Sequence, residues 1–283
     1  MQLTRFAADD GTELRVQVAG SGPPIVLLHE WGSSHRVWEP IAYRLIDRFT
    51  VYRWDARGHH GHGEVLPSVV PQAVTVERMA DDLACLLDHY GLRQPVVVGH
   101  SMGALTLWAY VARHGCSRLR RVGIIDQSPR LTTNAGWQLG IYGDWPPERD
   151  ATFVADLQAD FVETVVRLVC CGLNARARRR LEEGHPGIER LRVYLGMLER
   201  GPLISVWQSL SRADFRPVLP TLSVPALLVY GGESNYYLPE TGVYVRDALP
   251  DARLVTYEGA DHSPHIAQPE RFAADLAGFA VEG

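Results

Sequence analysis

The chain contains no lysine: all 28 of its basic residues are arginine, against 33 acidic residues among 283 in total. The formal net charge is −5 at pH 7. Proteins that hold nucleic acid usually present an excess of positive charge to the phosphate backbone. The charge balance therefore predicts no nucleic-acid partner.

Cysteine and long apolar stretches are also scarce. The four cysteines show neither the spacing of a disulfide framework nor that of a zinc site, so we expect free thiols. No run reaches the ~18 apolar residues that a membrane helix needs. Residues 1–11 lack the apolar core of a signal peptide. The sequence predicts a cytoplasmic protein with no membrane association.

Short apolar segments rich in β-branched residues alternate with amphipathic ones along most of the chain. This alternation predicts an α/β fold with a doubly wound, mostly parallel sheet. Residues 128–224 interrupt it with helical patterns and no convincing strand. Eight strands are predicted, at 2–7, 13–19, 25–28, 50–54, 95–98, 121–126, 226–230 and 253–257. The helices of the alternating part are predicted at 37–48, 76–90, 104–112, 239–249 and from 269 onward.

Residues 99–103 read Gly-His-Ser-Met-Gly, between an apolar strand that ends at 98 and an apolar helix that follows. A sharp strand-to-helix turn of this kind exposes a serine hydroxyl, and its glycines allow close backbone approach. The helix N-terminus adds N–H groups where an oxyanion would form. The pattern predicts a nucleophile elbow with Ser101 as the nucleophile.

Three further segments carry a resemblance to a known family. Residues 24–32 read Pro-Ile-Val-Leu-Leu-His-Glu-Trp-Gly, and residues 54–59 read Trp-Asp-Ala-Arg-Gly-His. Residues 259–265 read Gly-Ala-Asp-His-Ser-Pro-His. In order and spacing these blocks resemble the oxyanion loop, the Asp-x-Arg-Gly-x-Gly segment and the catalytic histidine loop of the α/β-hydrolase superfamily.

The resemblance covers nearly the whole chain and implies an eight-stranded core with an inserted helical lid. Residues 1–127 and 225–283 would form the core, and 128–224 the lid. It implies a cofactor-independent serine hydrolase that cleaves a carboxylic ester, thioester or lactone through an acyl-serine intermediate. His262 would be the base in preference to His265, and the backbone N–H groups of Met102 and Trp31 would bind the oxyanion.

Two positions depart from the family pattern. Glu30 stands where the family usually has glycine, so either its side chain turns outward or its carboxylate shapes substrate preference. His29, His35 and Arg36 are neighbours that could pair with it.

The second departure concerns the catalytic acid. Asn235 occupies the usual position of that aspartate, and an amide cannot stabilise an imidazolium as a carboxylate does. Some family members draw the acid from the preceding strand, which here ends at Asp126. We therefore predict Asp126 as the acid, with Glu233 as the alternative.

The substrate expected is a small molecule with an apolar or aromatic acyl group. The residues predicted to contact it are Glu30, His100, Trp137, Tyr142 and Trp145. The histidine-rich residues 58–63 have no acidic or cysteine partner at a suitable spacing, so no metal site is predicted.

Other functions stay open at this point. Trp31, the segment 35–37 and Asp126 also resemble cofactor-free dioxygenases of N-heteroaromatic substrates, which share the fold. Glu30 and Asn235 are the features that would suit a non-catalytic ligand-binding homologue. The sequence also allows a homodimer.

Overall fold

The computed structural model describes residues 2–59 and 74–282, and within them eight strands form one sheet. In chain order, β1 to β8 are Gln2–Ala7, Glu13–Ala19, Pro24–Leu28, Thr50–Asp55, Val96–His100, Arg121–Ile125, Ala226–Gly231 and Ala252–Tyr257. Their order in the sheet is β1-β2-β4-β3-β5-β6-β7-β8. The pairs β1–β2 and β2–β4 are antiparallel and the others are parallel. This confirms the predicted doubly wound, mostly parallel sheet.

Eleven α-helices lie within the described residues. In chain order, α1 to α11 are Glu39–Leu45, Val76–His89, Met102–His114, Pro147–Ala159, Phe161–Cys170, Ala175–Glu182, Pro186–Gly196, Arg200–Arg212, Pro239–Ala248, Pro264–Ala267 and Pro269–Val281. Short 3₁₀ turns lie at His35–Trp38, Ile141–Gly143 and Arg216–Thr221. None of the described helices combines the length and the apolar character needed to cross a membrane.

Both faces of the central strands β3 and β5 are buried, which explains why their sequences are almost continuously apolar. In β3, Ile25 and Leu27 point into one core, which α1 and α11 cover. Val26 and Leu28 point into the other core, which α2 and α3 cover. Each such side chain, when fully buried, stabilises the fold by about 1.5–3 kcal/mol. The sheet is therefore a firm base for residues at its strand ends.

Residues 126–225, all of which the structure describes, contain helices α4 to α8 and no strand of the sheet. An isolated bridge between Asn134 and Trp137 is the nearest approach to strand pairing there. We call residues 128–224 the helical segment. Its members contact the loops that follow β3 and β7, as shown by the bonds from Trp31 to Leu203 and from Asn235 to Val169.

The largest difference from the predicted elements concerns the helix expected over 37–48. A 3₁₀ turn covers its start, and α1 itself runs only over Glu39–Leu45. Pro40 fixes the backbone for a helix start and cannot continue an earlier turn, which separates the two. Residues 60–63, part of the histidine-rich segment 58–63, lie outside the described residues.

Candidate active site

The turn between β5 and α3 holds Ser101 with φ 53° and ψ −117°, a conformation that side-chain-bearing residues seldom adopt. A Cβ at Gly99 would lie 2.3 Å from the carbonyl oxygen of Gly103. A Cβ at Gly103 would lie 2.3 Å from the carbonyl oxygen of Leu28. Glycine is required at both positions, because only its absent side chain lets the strand, the turn and the helix approach so closely.

Asp126 follows β6 directly and is completely buried, with φ 43°. Its carboxylate receives three hydrogen bonds. Nδ1 of His262 donates over 2.6 Å, Oγ of Ser234 over 2.6 Å, and the backbone N–H of Gly231 over 3.1 Å. Three donors compensate the burial of a negative charge and fix the carboxylate in one orientation.

His262 lies in the loop between β8 and α10, and its ring packs edge-on against Tyr236 with the ring centres 4.4 Å apart. Burial lowers the pKa of His262, while the Asp126 carboxylate acts in the opposite direction. The net shift is downward, so the ring is neutral at neutral pH. Since Nδ1 donates to Asp126, the lone pair of the neutral ring is on Nε2.

His265, the competing histidine, occupies a different environment. It is completely buried with its ring centre 4.6 Å from that of Trp38, and it packs on Phe272 at 5.7 Å. Burial holds the pKa of His265 well below its ordinary value. Its place is in the core under the site, away from the cavity that contains Ser101.

The loop after β7 carries Glu233, the alternative acid, and Asn235, which occupies the family's aspartate position. Neither side chain bonds to the imidazole ring. Glu233 is half exposed and pairs with Arg176 at 2.8 Å. Asn235 donates from Nδ2 to the carbonyl oxygen of Val169 at 2.8 Å, and its Oδ1 accepts the backbone N–H of His262 at 3.2 Å. The structure therefore brings Asp126 to the ring and leaves Glu233 on the surface.

The loop after β3, which contains Trp31, is held by bonds to the helical segment. The indole N–H of Trp31 donates to the carbonyl oxygen of Leu203 at 2.9 Å. The hydroxyl of Tyr194 donates to the carbonyl oxygen of Gly32 at 2.9 Å. The positive φ of this loop, 73°, falls at Gly32, and Glu30 has no such angle. Glutamate therefore stands at position 30 without the strain of a positive φ.

The Glu30 side chain turns inward, and its carboxylate bonds to none of the three side chains named as possible partners. Of these, His29 donates from Nδ1 to the backbone carbonyl oxygen of Glu30 over 2.7 Å. Oε2 of Glu30 lies 3.1 Å from Nδ1 of His100, whose Nε2 lies 2.9 Å from the carbonyl oxygen of His262. His35 pairs with Asp55 instead, at 2.8 Å. Burial acts to raise the pKa of Glu30, but the His100 hydrogen bond and the charge of His100 outweigh it and lower the pKa. The interpretation of an outward-turned side chain is therefore wrong.

Ser101 and His262 face one cavity of about 80 Å³ at the end of the sheet. Its polar lining comes from these two residues, Glu30, Gln127 and the two tyrosines at 236 and 237. The remaining lining is apolar and comes from the core and from the helical segment: Trp31, Met102, Leu105, Leu131, Ile141, Leu168, Trp207 and Leu210. The cavity thus joins a hydroxyl, an imidazole and an apolar wall.

Three aromatic residues predicted to contact substrate do not line this cavity. The indole N–H of Trp137 donates to the carbonyl oxygen of Arg130, and that of Trp145 donates to Asp150. The hydroxyl of Tyr142 bonds to the carbonyl oxygen of Leu168. The indole N–H groups and the tyrosine hydroxyl thus find their acceptors within the helical segment, and the rings pack this segment onto the core. His100 also lies beneath the cavity, completely buried.

Several residues of the site were not predicted from the sequence. Ser234, which bonds to Asp126, is adjacent to position 235, and this position in the loop could have indicated a role near the acid. Trp207 and Leu210 come from α8, where apolar residues at helical spacing predict packing and nothing more specific.

No group of three or more histidine, cysteine, aspartate or glutamate side chains comes together as a metal cradle in residues 2–59 and 74–282. His60 and His62 of the histidine-rich segment lie outside this part of the chain.

The profile of the alpha/beta hydrolase fold matches residues 23–269. The chain is 28% identical over 269 residues to the pimeloyl-[acyl-carrier protein] methyl ester esterase of Vibrio vulnificus (strain YJ016), which covers 95% of this chain and 98% of that relative. The enol-lactonase from Burkholderia xenovorans LB400 superposes with a TM-score of 0.79 at 26% identity, over 99% of this chain and 100% of that one.

An esterase from Exiguobacterium antarcticum superposes with a TM-score of 0.83, over 99% of this chain and 100% of that one. At 20% identity this match concerns the fold alone. The profile match spans most of the chain and agrees with the sheet order and the strand-to-helix turn described above. The chain belongs to the alpha/beta hydrolase fold family.

Proposed function

We propose that the protein is a serine esterase in which Ser101 is the nucleophile, His262 the base and Asp126 the acid. The observation that carries this proposal is the 2.6 Å bond between Asp126 and Nδ1 of His262, in a cavity that the ring shares with Ser101. A buried carboxylate on one ring nitrogen leaves the other as proton acceptor for a neighbouring hydroxyl.

The reaction proceeds in two halves. Oγ of Ser101 attacks the carbonyl carbon of the ester while its proton passes to Nε2 of His262. His262 then protonates the leaving alcohol, and an acyl-serine remains. In the second half, water gives a proton to His262 and attacks the acyl carbon. The bond between that carbon and Oγ of Ser101 then breaks, His262 returns the proton to Oγ, and the carboxylic acid leaves. Asp126 stabilises the imidazolium that forms in each half.

The negative charge on the carbonyl oxygen is met by the backbone N–H groups of Met102 and Trp31. Met102 is the first residue of α3, so its N–H has no acceptor within the helix. Trp31 belongs to the loop that the indole bond to Leu203 fixes in place. One such donor is typically worth ~3 kcal/mol in the transition state.

The apolar lining supports a small apolar or aromatic acyl group. Its members from the helical segment include Leu168 and Trp207, so we assign residues 128–224 the role of a lid and residues 1–127 and 225–283 that of the core. The relatives act on a methyl ester and an enol-lactone by their names. Esters of small alcohols are accordingly the first substrates to test, followed by thioesters and lactones.

The geometry gives little support to the two alternatives, a cofactor-free dioxygenase and a non-catalytic binding protein. The dioxygenase resemblance rested in part on segment 35–37, and His35 lies on Asp55 outside the Ser101 cavity. The binding-module alternative rested on Glu30 and Asn235. Both make specific bonds that leave Ser101, His262 and Asp126 in place.

The Ser101→Ala variant tests the proposal. We expect p-nitrophenyl acetate hydrolysis to fall by about 10⁶-fold in kcat, because the remaining groups cannot form the acyl intermediate. Ser117→Ala, in an exposed turn, is the matched control and should retain wild-type activity. If Ser101→Ala kept more than about a tenth of the wild-type rate, the covalent mechanism would be wrong.

A further inference from the structure

Among the residues that the structure describes, one carboxylate lies in the wall of the Ser101 cavity, and it belongs to Glu30. Its side chain retains 23% of its accessible surface, although the loop that carries it is covered by the helical segment. Oε2 is bonded to His100. The accessible surface of Glu30 therefore faces the cavity, where the other walls are mainly apolar.

The proton count of the Glu30–His100 pair follows from its hydrogen bonds. Nε2 of His100 faces the carbonyl oxygen of His262, which can only accept, so Nε2 carries a proton. One further proton is then shared between Nδ1 and the carboxyl group of Glu30. Wherever that proton sits, the pair has no net charge.

This neutrality matters because of where Glu30 stands in the chain. It directly precedes Trp31, whose N–H is proposed to bind the oxyanion, and consecutive Cα atoms are about 3.8 Å apart. An uncompensated carboxylate there would oppose the charge that develops on the carbonyl oxygen. The His100 partner removes that penalty and leaves an oxygen acceptor beside the reacting carbonyl.

We propose that Glu30 is a specificity-determining residue whose carboxylate accepts a hydrogen bond from a hydroxyl or amino group of the substrate, close to the scissile carbonyl. This proposal rests on the esterase function proposed above. Once an apolar substrate fills the cavity, the oxygen of Glu30 loses water and gains no partner, which is unfavourable. A substrate that carries a donor restores the bond. The favoured substrates are therefore hydroxy or amino esters of short acyl chains.

The test compares methyl 3-hydroxybutanoate with methyl 3-methylbutanoate, in which a methyl group replaces the hydroxyl at nearly the same size. Acid release is followed by pH-stat titration. We expect the wild-type protein to prefer the hydroxy ester about 10- to 100-fold in kcat/KM, the range for a hydrogen bond to a charged acceptor. Glu30→Leu, which removes the acceptor at similar volume, should abolish or reverse this preference.

Glu30→Gln is the second variant, and it keeps the proposal testable if Glu30→Leu does not fold. Its amide N–H can donate to Nδ1 of a neutral His100, so the bond between His100 and the His262 carbonyl survives. Its carbonyl oxygen is a weaker acceptor than a carboxylate. We expect a preference between those of the wild-type protein and Glu30→Leu. Glu270→Leu, an exposed site paired with Arg44, is the matched control and should keep the wild-type ratio.

The outcomes separate the two proposals. An absence of Ser101-dependent hydrolysis of p-nitrophenyl acetate would overturn the esterase function itself. Hydrolysis of that ester with no preference for the hydroxy ester over methyl 3-methylbutanoate would overturn the role of Glu30 alone. A preference that is the same in the wild-type protein and in Glu30→Gln and Glu30→Leu would also overturn it.

Discussion

The end of strand β6 and the loop after β7 both contact His262, but they hold different parts of it. Asp126 at the end of β6 bonds to the imidazole ring, whereas Asn235 in the β7 loop bonds to the backbone N–H. The first contact controls charge and tautomer, and the second controls where the loop stands. In the proposed mechanism, stabilisation of the imidazolium and placement of the histidine are thus divided between two neighbouring strands.

The comparison also explains why an amide occupies position 235. Oδ1 of Asn235 accepts from His262, while Nδ2 donates to the carbonyl oxygen of Val169 in the helical segment. The backbone of the same residue accepts the N–H of Leu173 over 2.9 Å. A carboxylate cannot donate the bond to Val169. Asn235 therefore joins the histidine loop to the helical segment, a task that needs both a donor and an acceptor.

Among variants at these two strand ends, the largest expected effect comes from Asp126→Asn. This change removes the negative charge of the carboxylate beside the ring while keeping the side-chain volume, and it favours the wrong imidazole tautomer. We expect kcat for p-nitrophenyl acetate to fall by ~10³–10⁴-fold with little change in the circular dichroism spectrum. Loss of less than about tenfold would mean that the acid lies elsewhere.

A smaller effect is expected from Asn235→Asp. The new carboxylate keeps the acceptor for the His262 N–H but faces the Val169 carbonyl without a donor, an unfavourable contact in a buried place. We expect kcat/KM to fall about tenfold, with a lower Tm. Asn134→Asp in an exposed turn is the matched control. An increase in activity at position 235 would show that this loop prefers a carboxylate after all.

The smallest effect is expected from Glu233→Gln, in the same loop. Its ion pair with Arg176 is about half exposed on both sides, and such pairs contribute about 0–1 kcal/mol. We expect kcat/KM within about twofold of wild type in the p-nitrophenyl acetate assay. A loss of kcat/KM as large as that of Asp126→Asn would mean that Glu233, after β7, also contributes to catalysis.

Much of the fold could be predicted from the sequence because it depends on patterns within short segments. The continuous apolar runs of strands β3 and β5 reflect burial on both faces, and the glycine at 99 reflects a close backbone contact with Gly103 in the same turn. The position of Asp126 was also readable, because the end of β6 follows from the same pattern.

The rest of the site depends on contacts between distant segments, for which the sequence has no periodic signal. The bond of Glu30 to His100 spans 70 residues, and that of Ser234 to Asp126 spans 108. The aromatic residues at 137, 142 and 145 were predicted to contact the substrate because aromatic side chains often line apolar binding pockets. Their polar groups are satisfied within the helical segment instead, which only the tertiary structure could reveal.

The most direct test of the account is the rate at which a fluorophosphonate labels the protein, with the modified residue identified by peptide mass spectrometry. This reagent reports the activated serine without any knowledge of the natural substrate. We predict an adduct on Ser101, formed at the same rate in the wild-type protein and Glu233→Gln and at least about 10³-fold more slowly in Asp126→Asn. Rapid labelling of Asp126→Asn with slow labelling of Glu233→Gln, or an adduct on another residue, would contradict the account.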